Sequence, residues 1–525
     1  MATTPSPGAP GVYVTELLTA SPPPSVTPSP SVAGFAGEHW QGPSGPNIFI
    51  TCNSWSDFVN YFGGFNPNPL PVLANPYLAY AVYAFFLNGG QTCQVQRIIS
   101  SASPGASASV VLTDSSATPQ STLKLSVGFL GVIGNVGTWG NSMHYAVTSM
   151  PTVGRFSLNI YNGVVSAQNL VESWYDMSMS KSDPRYAVGL LNSPIAGSNW
   201  VVATDENDVD VFPVNMPAVS NGTFSGGVDC GDPSAIDRAN AVTVGTSPFD
   251  YVSGALSFAM PGEVTLSVLT AAITYAEIRP YTFVVIDTPS GETPANAVAF
   301  FSTLTPVAAN AAVYSPWVVG SNPATSNLSA TILLPPSGFI LGQYVATDTA
   351  NGVWKAPAGM NTILAGVVQA ERLLSASDQA TLNNSNINAL RTLPNGQVVI
   401  WGDRTMNASY ASLFISIQRT LNYIASTAAS LLESQVFAPN DQATWSTIIA
   451  SLNNFLGGLL SAGAFAGTTQ AQGYYIICDT TNNTAQSIAQ GVLNVNVGLA
   501  LLYPVEFINL TISQFEGTTT VTTSS

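Results

Sequence analysis

The sequence predicts a multidomain protein of the α+β or α/β class. N- and C-terminal segments form an α/β core, a β-rich region is inserted between them, and an extended β-strand arm lies at each end. Three observations predict this. Helix and strand patterns succeed one another from Asn47 to Ile99 and again from Leu333 onward. Between them lie many short strand-like runs with few helices. The chain also begins and ends in an isolated strand, each joined to the body at a proline.

The first element is "PGAPGVYVTEL". Pro and Gly flank Val12, Tyr13 and Val14, which are strong strand formers. A strand this short is unstable alone. The proline-dense "LTASPPPSVTPSPSV" that follows is extended and offers no hairpin partner. The partner must come from elsewhere.

In "WSDFVNYF", Ser54 and Asp57 form a helix-start signature, and Gly63-Gly64 stops the helix. Asn75 and Pro76 open "YLAYAVYAFFL", a helix apolar nearly all round and so expected to be buried. "TCQVQRII" follows as a strand. From 100 to 316, runs such as "SASVVLTD", "TLKLSVGFLGVIG", "HYAVTSM" and "RFSLNIYNG" alternate with Gly, Asn and Ser turns. "TLSVLTAAITYAEI" is a helix within that stretch. Further on, "FILGQYVATDTA" reads as a helix and "NALRTLPNGQVVIWGDR" as a hairpin turning at Asn395-Gly396. "ASLFISIQRTLNYIASTAASLLESQ" is a long helix, and Asn440 or Asp441 caps the next. "GYYIICD" and "GVLNVNVGLAL" are strands, and "VEFINLTISQF" alternates as one clean strand after Pro504. The expected divisions are 1–32 (arm and linker), 33–99 (core, first part), 100–316 (β-rich insert), 317–503 (core, C-terminal part) and 504–525 (C-terminal arm and tail).

Composition narrows the function. The chain has 525 residues, of which 46% are hydrophobic and only 8% charged, with a net charge of −16. Mean hydropathy is +0.26 and the isoelectric point about 4.2. Such a chain repels phosphate backbones, so direct nucleic-acid binding is not expected. Its uncharged polar surface suits packing against copies of itself, where few charges need desolvating. No apolar run spans a bilayer, and "MATTPSPGAP" has neither a basic start nor an apolar core, so neither direct membrane contact nor a secretion signal is expected. Cys52, Cys93, Cys230 and Cys478 lack metal spacing and read as free thiols.

No catalytic, metal or cofactor site is expected. There is no P-loop, no G-x-S-x-G and no H-E-x-x-H. His39 and His144 have no ligand at metal spacing and read as structural. Asp205, Glu206, Asp208 and Asp210 in "TDENDVDV" lack the glycine and closing glutamate of a calcium loop. "GGVDCGDP" around Cys230 shows no basic neighbour along the chain, and Trp139 in "GTWGN" reads as an aromatic packed beside a turn. Asp348 and Asp403 carry no signal by themselves.

Several stretches together resemble the contractile tail sheath family of phages and related injection systems. They are "PGVYVTEL", "VAGFAGEHWQGP", "SWSDFVNYFGG", "YAVYAFFLNGGQTCQVQRI" and "GTWGN", then "PPSGFILGQYVATDTANGVWKAPAG", "LNNSNINALRTLPNGQVVIWGDRT", "FAPNDQATW", "FLGGLLSAGAFAG", "GYYIICDTTNN" and "YPVEFINLTISQ". Asn386 stands where a glycine is common, and Thr15-Glu16 where two acidic residues are usual. The resemblance implies a structural, non-enzymatic subunit without cofactor. It implies partners: copies of itself in sixfold helical rings, an inner tail tube protein, and baseplate and terminator or cap proteins. It implies a place in a virion tail or injection particle assembled in the cytoplasm, with residues 100–316 outermost. It also implies that both arms complete a sheet in neighbouring subunits. These arms are Gly11, Val12, Tyr13, Val14, Thr15 and Glu16 at one end, and Glu506, Phe507, Ile508, Asn509, Leu510, Thr511 and Ile512 at the other. The rival expectation is a surface-layer or adhesin-like self-assembling protein.

Overall fold

The runs "TFVVID" and "AAVYS" are buried at every position, which requires cover on both faces. They lie inside an eight-stranded sheet. The computed structural model describes residues 32–45, 48–65, 73, 75–150, 152, 154–207, 215–327, 329–409 and 412–507. The N-terminal arm, Gly11 to Glu16, and residues 508–512 lie outside them, as do Asp208 and Asp210.

The sheet's strands are β1 (Val32–Glu38), β2 (Ile50–Cys52), β3 (Cys93–Ile98), β4 (Leu256–Ala259), β5 (Thr282–Asp287), β6 (Ala311–Ser315), β7 (Ile387–Thr392) and β8 (Val398–Trp401). Their order is β8-β7-β6-β5-β4-β1-β3-β2. From β7 to β3 the neighbours are parallel, while β8 and β2 pair antiparallel at the edges. Alternate residues feed two cores. Phe283, Val285, Ala312 and Tyr314 face one, with helices α2 (Leu78–Leu87) and α4 (Ser337–Asn351). Val284, Ile286, Ala311 and Val313 face the other, with α3 (Leu266–Ile278).

This sheet corrects the expected domain division. Residues 100–316 are not one insert, because β4, β5 and β6 return to the core sheet within them. The separate region is complete by about residue 230, since Ala241, Val242, Phe249 and Val252 already pack against the large sheet. It holds two antiparallel four-stranded sheets, one with Ser109–Thr113, Ser121–Phe129, Val132–Ile133 and Val201–Asp205, the other with His144–Ser149, Phe156–Tyr161, Leu170–Met177 and Ser220–Thr223. The two share a core that includes Leu125, Trp139, Leu158 and Phe224. Arg97 fastens this region to the sheet: its guanidinium donates to the carbonyls of His39 (2.8 Å), Gly42 (2.8 Å), Trp40 (3.2 Å) and Val136 (3.0 Å).

Helix α1 (Trp55–Phe62) starts with the Ser54 hydroxyl accepting from the Asp57 N–H and stops at Gly63, whose φ is 77°. The Asp57 carboxylate reaches the N–H of Asn53 rather than of Ser54, so the reciprocal bond is displaced by one residue. Helix α2 starts two residues later than Asn75 suggests, with Tyr77 at the cap position. Glycines let α4 lie directly on α2. A Cβ at Gly338 would meet Ala81 Cα at 2.5 Å, and one at Gly342 would meet the Phe85 carbonyl oxygen at 2.6 Å. Gly338→Ala is therefore expected to destabilise by about 1–3 kcal/mol through overpacking. A lowered melting temperature checks this, and an unchanged one contradicts the contact.

Arg404, after β8, donates to the Asn383 carbonyl of α5 (Ala376–Asn384), while a chain of buried polar groups ties the sheet to α4 and α6 (Ile415–Leu432). Asp287, at the end of β5, accepts from the N–H (2.9 Å) and hydroxyl (2.7 Å) of Ser337 at the start of α4. Asp348, near the end of α4, pairs with Arg419 of α6 at 3.0 Å, both side chains 2% exposed. Asp403, after β8, accepts from the N–H (3.2 Å) and hydroxyl (2.6 Å) of Ser416 in the first turn of α6.

Burial raises the Asp287 carboxyl to about 6 and the Asp403 carboxyl to about 7, against the hydrogen bonds that favour their ionised forms. The folded protein thus holds these protons more tightly than the unfolded chain does. The stability they contribute is complete below the ordinary carboxylate range and is lost as pH rises through about 6 and about 7. The melting temperature is expected to fall from pH 5 to pH 8, and Asp403→Asn to flatten the upper part of that fall. An identical profile in the variant would contradict the assignment.

A candidate inter-subunit docking surface

The strand formers in "YYII" make β9 (Tyr474–Ile477), which pairs antiparallel with β10 (Asn496–Leu499). Among the described residues this is a two-stranded sheet with no strand on either outer edge. The large sheet differs, because Gly359 and Leu364 donate to the Ile400 and Val398 carbonyls and cover the outer side of β8. Unpaired edges of a sheet are templates for another chain.

One face of the pair rests on α6 and α7 (Gln442–Ser461). Tyr474 is buried with Tyr423, Leu456, Leu459 and Phe465, and Ile476 and Leu499 pack partly against them. The Tyr474 hydroxyl donates to the Asn453 carbonyl at 3.3 Å. Cover is incomplete even here, since Val497, opposite Ile476, remains 37% exposed. On the other face Tyr475 is 59% exposed, its ring lying over Gly498. Asparagines hold the intervening loop: Asn482 donates to the Ile477 carbonyl at 2.8 Å and Asn483 to the Asn494 carbonyl at 2.9 Å.

The chain then runs to the C-terminal arm. Tyr503 meets Phe414 edge-on at 6.2 Å. Glu506 accepts from Arg404 at 2.6 Å and 3.1 Å, and Arg404 also donates to the Asn383 carbonyl at 2.9 Å. Glu506, expected as the first residue of the free arm, is thus fastened to its own subunit and forms the arm's root. Phe507, next along, is 69% exposed.

The remaining sequence candidates are structural where they are described. Burial lowers buried His39 to about 3, and its Nε2 lies 2.7 Å from the Phe62 carbonyl oxygen. His144 Nδ1 lies 2.9 Å from the Ser142 carbonyl oxygen. Trp139 is buried in a 3-10 turn, with its indole N–H 3.3 Å from the Val136 carbonyl oxygen. Asp205 accepts from the Tyr186 hydroxyl at 2.7 Å. The four cysteines are free. Cys230 does have a basic neighbour, Arg97, brought there by the fold rather than by the chain. Among the described residues no three His, Cys, Asp or Glu side chains converge as metal ligands. Sequence reasoning missed Arg404 and Arg419, whose partners lie far along the chain, and gave Asp403 no role.

The fold as a whole is similar to that of solved sheath proteins. The sheath of the PVC extracellular contractile injection system, in its contracted state, is similar at TM-score 0.57 and 20% identity, over 97% of this chain and 99% of that one. The sheath tail protein of Listeria innocua is similar at TM-score 0.57 and 12% identity, over 86% and 89%. Residues 408–515 match the phage tail sheath C-terminal domain family, the segment that carries β9 and β10. The tail sheath protein of Burkholderia phage BcepMu is 27% identical over 187 residues, covering 34% of this chain and 38% of the relative's own length. The resemblance to the contractile tail sheath family therefore rests on sequence in the C-terminal part and on fold over nearly the whole chain.

Proposed function

We propose that the protein is the structural subunit of a contractile sheath, of a phage tail or a related injection particle, and that its chemistry is assembly rather than catalysis. The observation that carries this is the open-edged β9–β10 pair, within the segment that matches the sheath C-terminal domain. Residues 11–16 and 508–512 of neighbouring copies add as strands to its edges. Copies stack as sixfold rings around an inner tube protein, between a baseplate and a terminator or cap. Rearrangement of inter-subunit contacts, with no nucleotide, drives contraction and pushes the tube through a target envelope. Residues 100–230, which build the two separate antiparallel sheets, face outward.

Negative-stain microscopy of the purified chain is the test. Hollow tubes or stacked rings are expected. Flat two-dimensional lattices would favour a surface layer, and discrete particles with saturable hydrolysis a soluble enzyme. Deleting residues 206–211, in the acidic "TDENDVDV" stretch, is expected to leave the tubes intact. Loss of tubes with an unchanged melting temperature would contradict the outward placement.

A further inference from the structure

Phe437 lies between α6 and α7, fully exposed and with a φ of +69°. A bulky side chain in the left-handed region is a conformational outlier, and such outliers gather at binding positions. The turn that holds it is well fastened. The Ala438 N–H donates to the Gln435 carbonyl at 3.0 Å, Asn440 donates to the Val492 carbonyl at 3.0 Å, and the Trp445 indole donates to Asn440 at 2.8 Å. Val436 beside it is also exposed, so the turn presents a rigid apolar knob.

Elsewhere the chain carries a matching hollow. A groove of about 700 Å³ runs between α5, the 354–359 turn, the end of β8 and the arm root. Trp354, Trp401, Tyr503 and Phe507 line it, and Ala376 and Ala380 of α5 leave it room. Aromatic walls suit a phenyl ring edge-on or offset. Charge in the groove is mixed: Glu506 is paired with Arg404 and Asp403 is buried, which leaves exposed Lys355 to face Glu433 and Asp441, both exposed beside the knob.

The knob cannot enter the groove of its own subunit. Asp403 on the groove wall holds the first turn of α6, whereas Phe437 follows the last. Eighteen helical residues separate these ends by about 27 Å. We propose that Phe437 of one subunit docks in the Trp354–Trp401 groove of a second copy. Knob and groove are different surfaces, so the contact is head-to-tail and propagates from copy to copy, into a ring where the rotation closes and an open helix where it does not. The proposal rests on the reading of the chain as self-assembling, and adds a contact that needs neither arm.

The test places cysteines at both ends of the contact, Phe437→Cys with Ala380→Cys in the full chain, and treats assembled protein with a short bismaleimide. The wild type is the background control, since Cys52, Cys93 and Cys478 are buried and Cys230 is partly buried. A ladder of dimers, trimers and longer products is expected, absent from either single variant. Phe437→Ser is expected to raise the subunit concentration needed for assembly about tenfold. Assembled tubes that give no ladder, or one that stops at dimers, overturn the proposal while leaving the sheath reading intact. An intrachain product between Ala380→Cys and Ser513→Cys overturns it too, by assigning the groove to the chain's own C-terminal tail. Failure to assemble at any concentration overturns both readings.

Discussion

Removal of residues 1–17 is expected to abolish tubes while shifting the melting temperature by no more than about 2 °C. On the proposed reading these residues pair in a neighbouring copy, so their removal takes little from the subunit itself. The lattice loses a connector. Ordering each arm residue costs about 1–2 kcal/mol, and each net hydrogen bond returns about 1 kcal/mol. Burial of Val12, Tyr13 and Val14 adds about 1.5–3 kcal/mol apiece, so these side chains decide the balance. One arm is a modest link, and many in a lattice are strong together. The linker from Ala20 to Val32 spans roughly 40 Å at about 3.1 Å per residue, enough to reach an adjacent copy. Tyr13→Pro should act like the deletion, because it removes a backbone donor and a ring at once. Melting curves and microscopy of both variants check this. Truncated protein that still forms tubes able to contract intact would show that the opening strand is no connector.

The second large effect is on folding. Arg419→Met is expected to destabilise the subunit by about 3–5 kcal/mol, because it leaves the Asp348 carboxylate buried without its partner. The guanidinium also lies 4.4 Å from the centre of the Tyr344 ring, whose hydroxyl is 2.7 Å from that of Tyr314. The variant thus loosens the junction of α4, α6 and β6 together. Arg419→Met with Asp348→Leu removes both charges and should recover much of the loss. The two denaturation midpoints, compared with wild type, decide it. A single variant as stable as wild type would show that the pair contributes nothing net.

What the sequence revealed was local, and what it hid was remote. The helix stop at Gly63, the hairpin through Gly396 (φ 85°) and the Asp441 cap of α7 are each specified within a few residues. Asn386 takes a φ of +59°, a conformation that asparagine tolerates better than most residues. The strands of the open pair were legible as strands too. Membership of the core sheet was not, because parallel neighbours such as Val32 and Leu256 are joined only by the long chain between them. "LSFA" and "AAVYS" look like the insert strands they follow, and only pairing tells them apart. The ion pairs that hold the arm root and the helix junction were equally hidden, with Arg404 and Glu506 102 positions apart and Asp348 and Arg419 71 apart.

Strand exchange at β9 and β10 is tested most directly by a helical reconstruction of assembled tubes at side-chain resolution. A strand of residues 11–16 and a strand of residues 508–512, each traced to a neighbouring copy, should lie paired on the outer edges of that sheet. Tubes in which both edges stay unpaired, or are covered by the subunit's own chain, would contradict it.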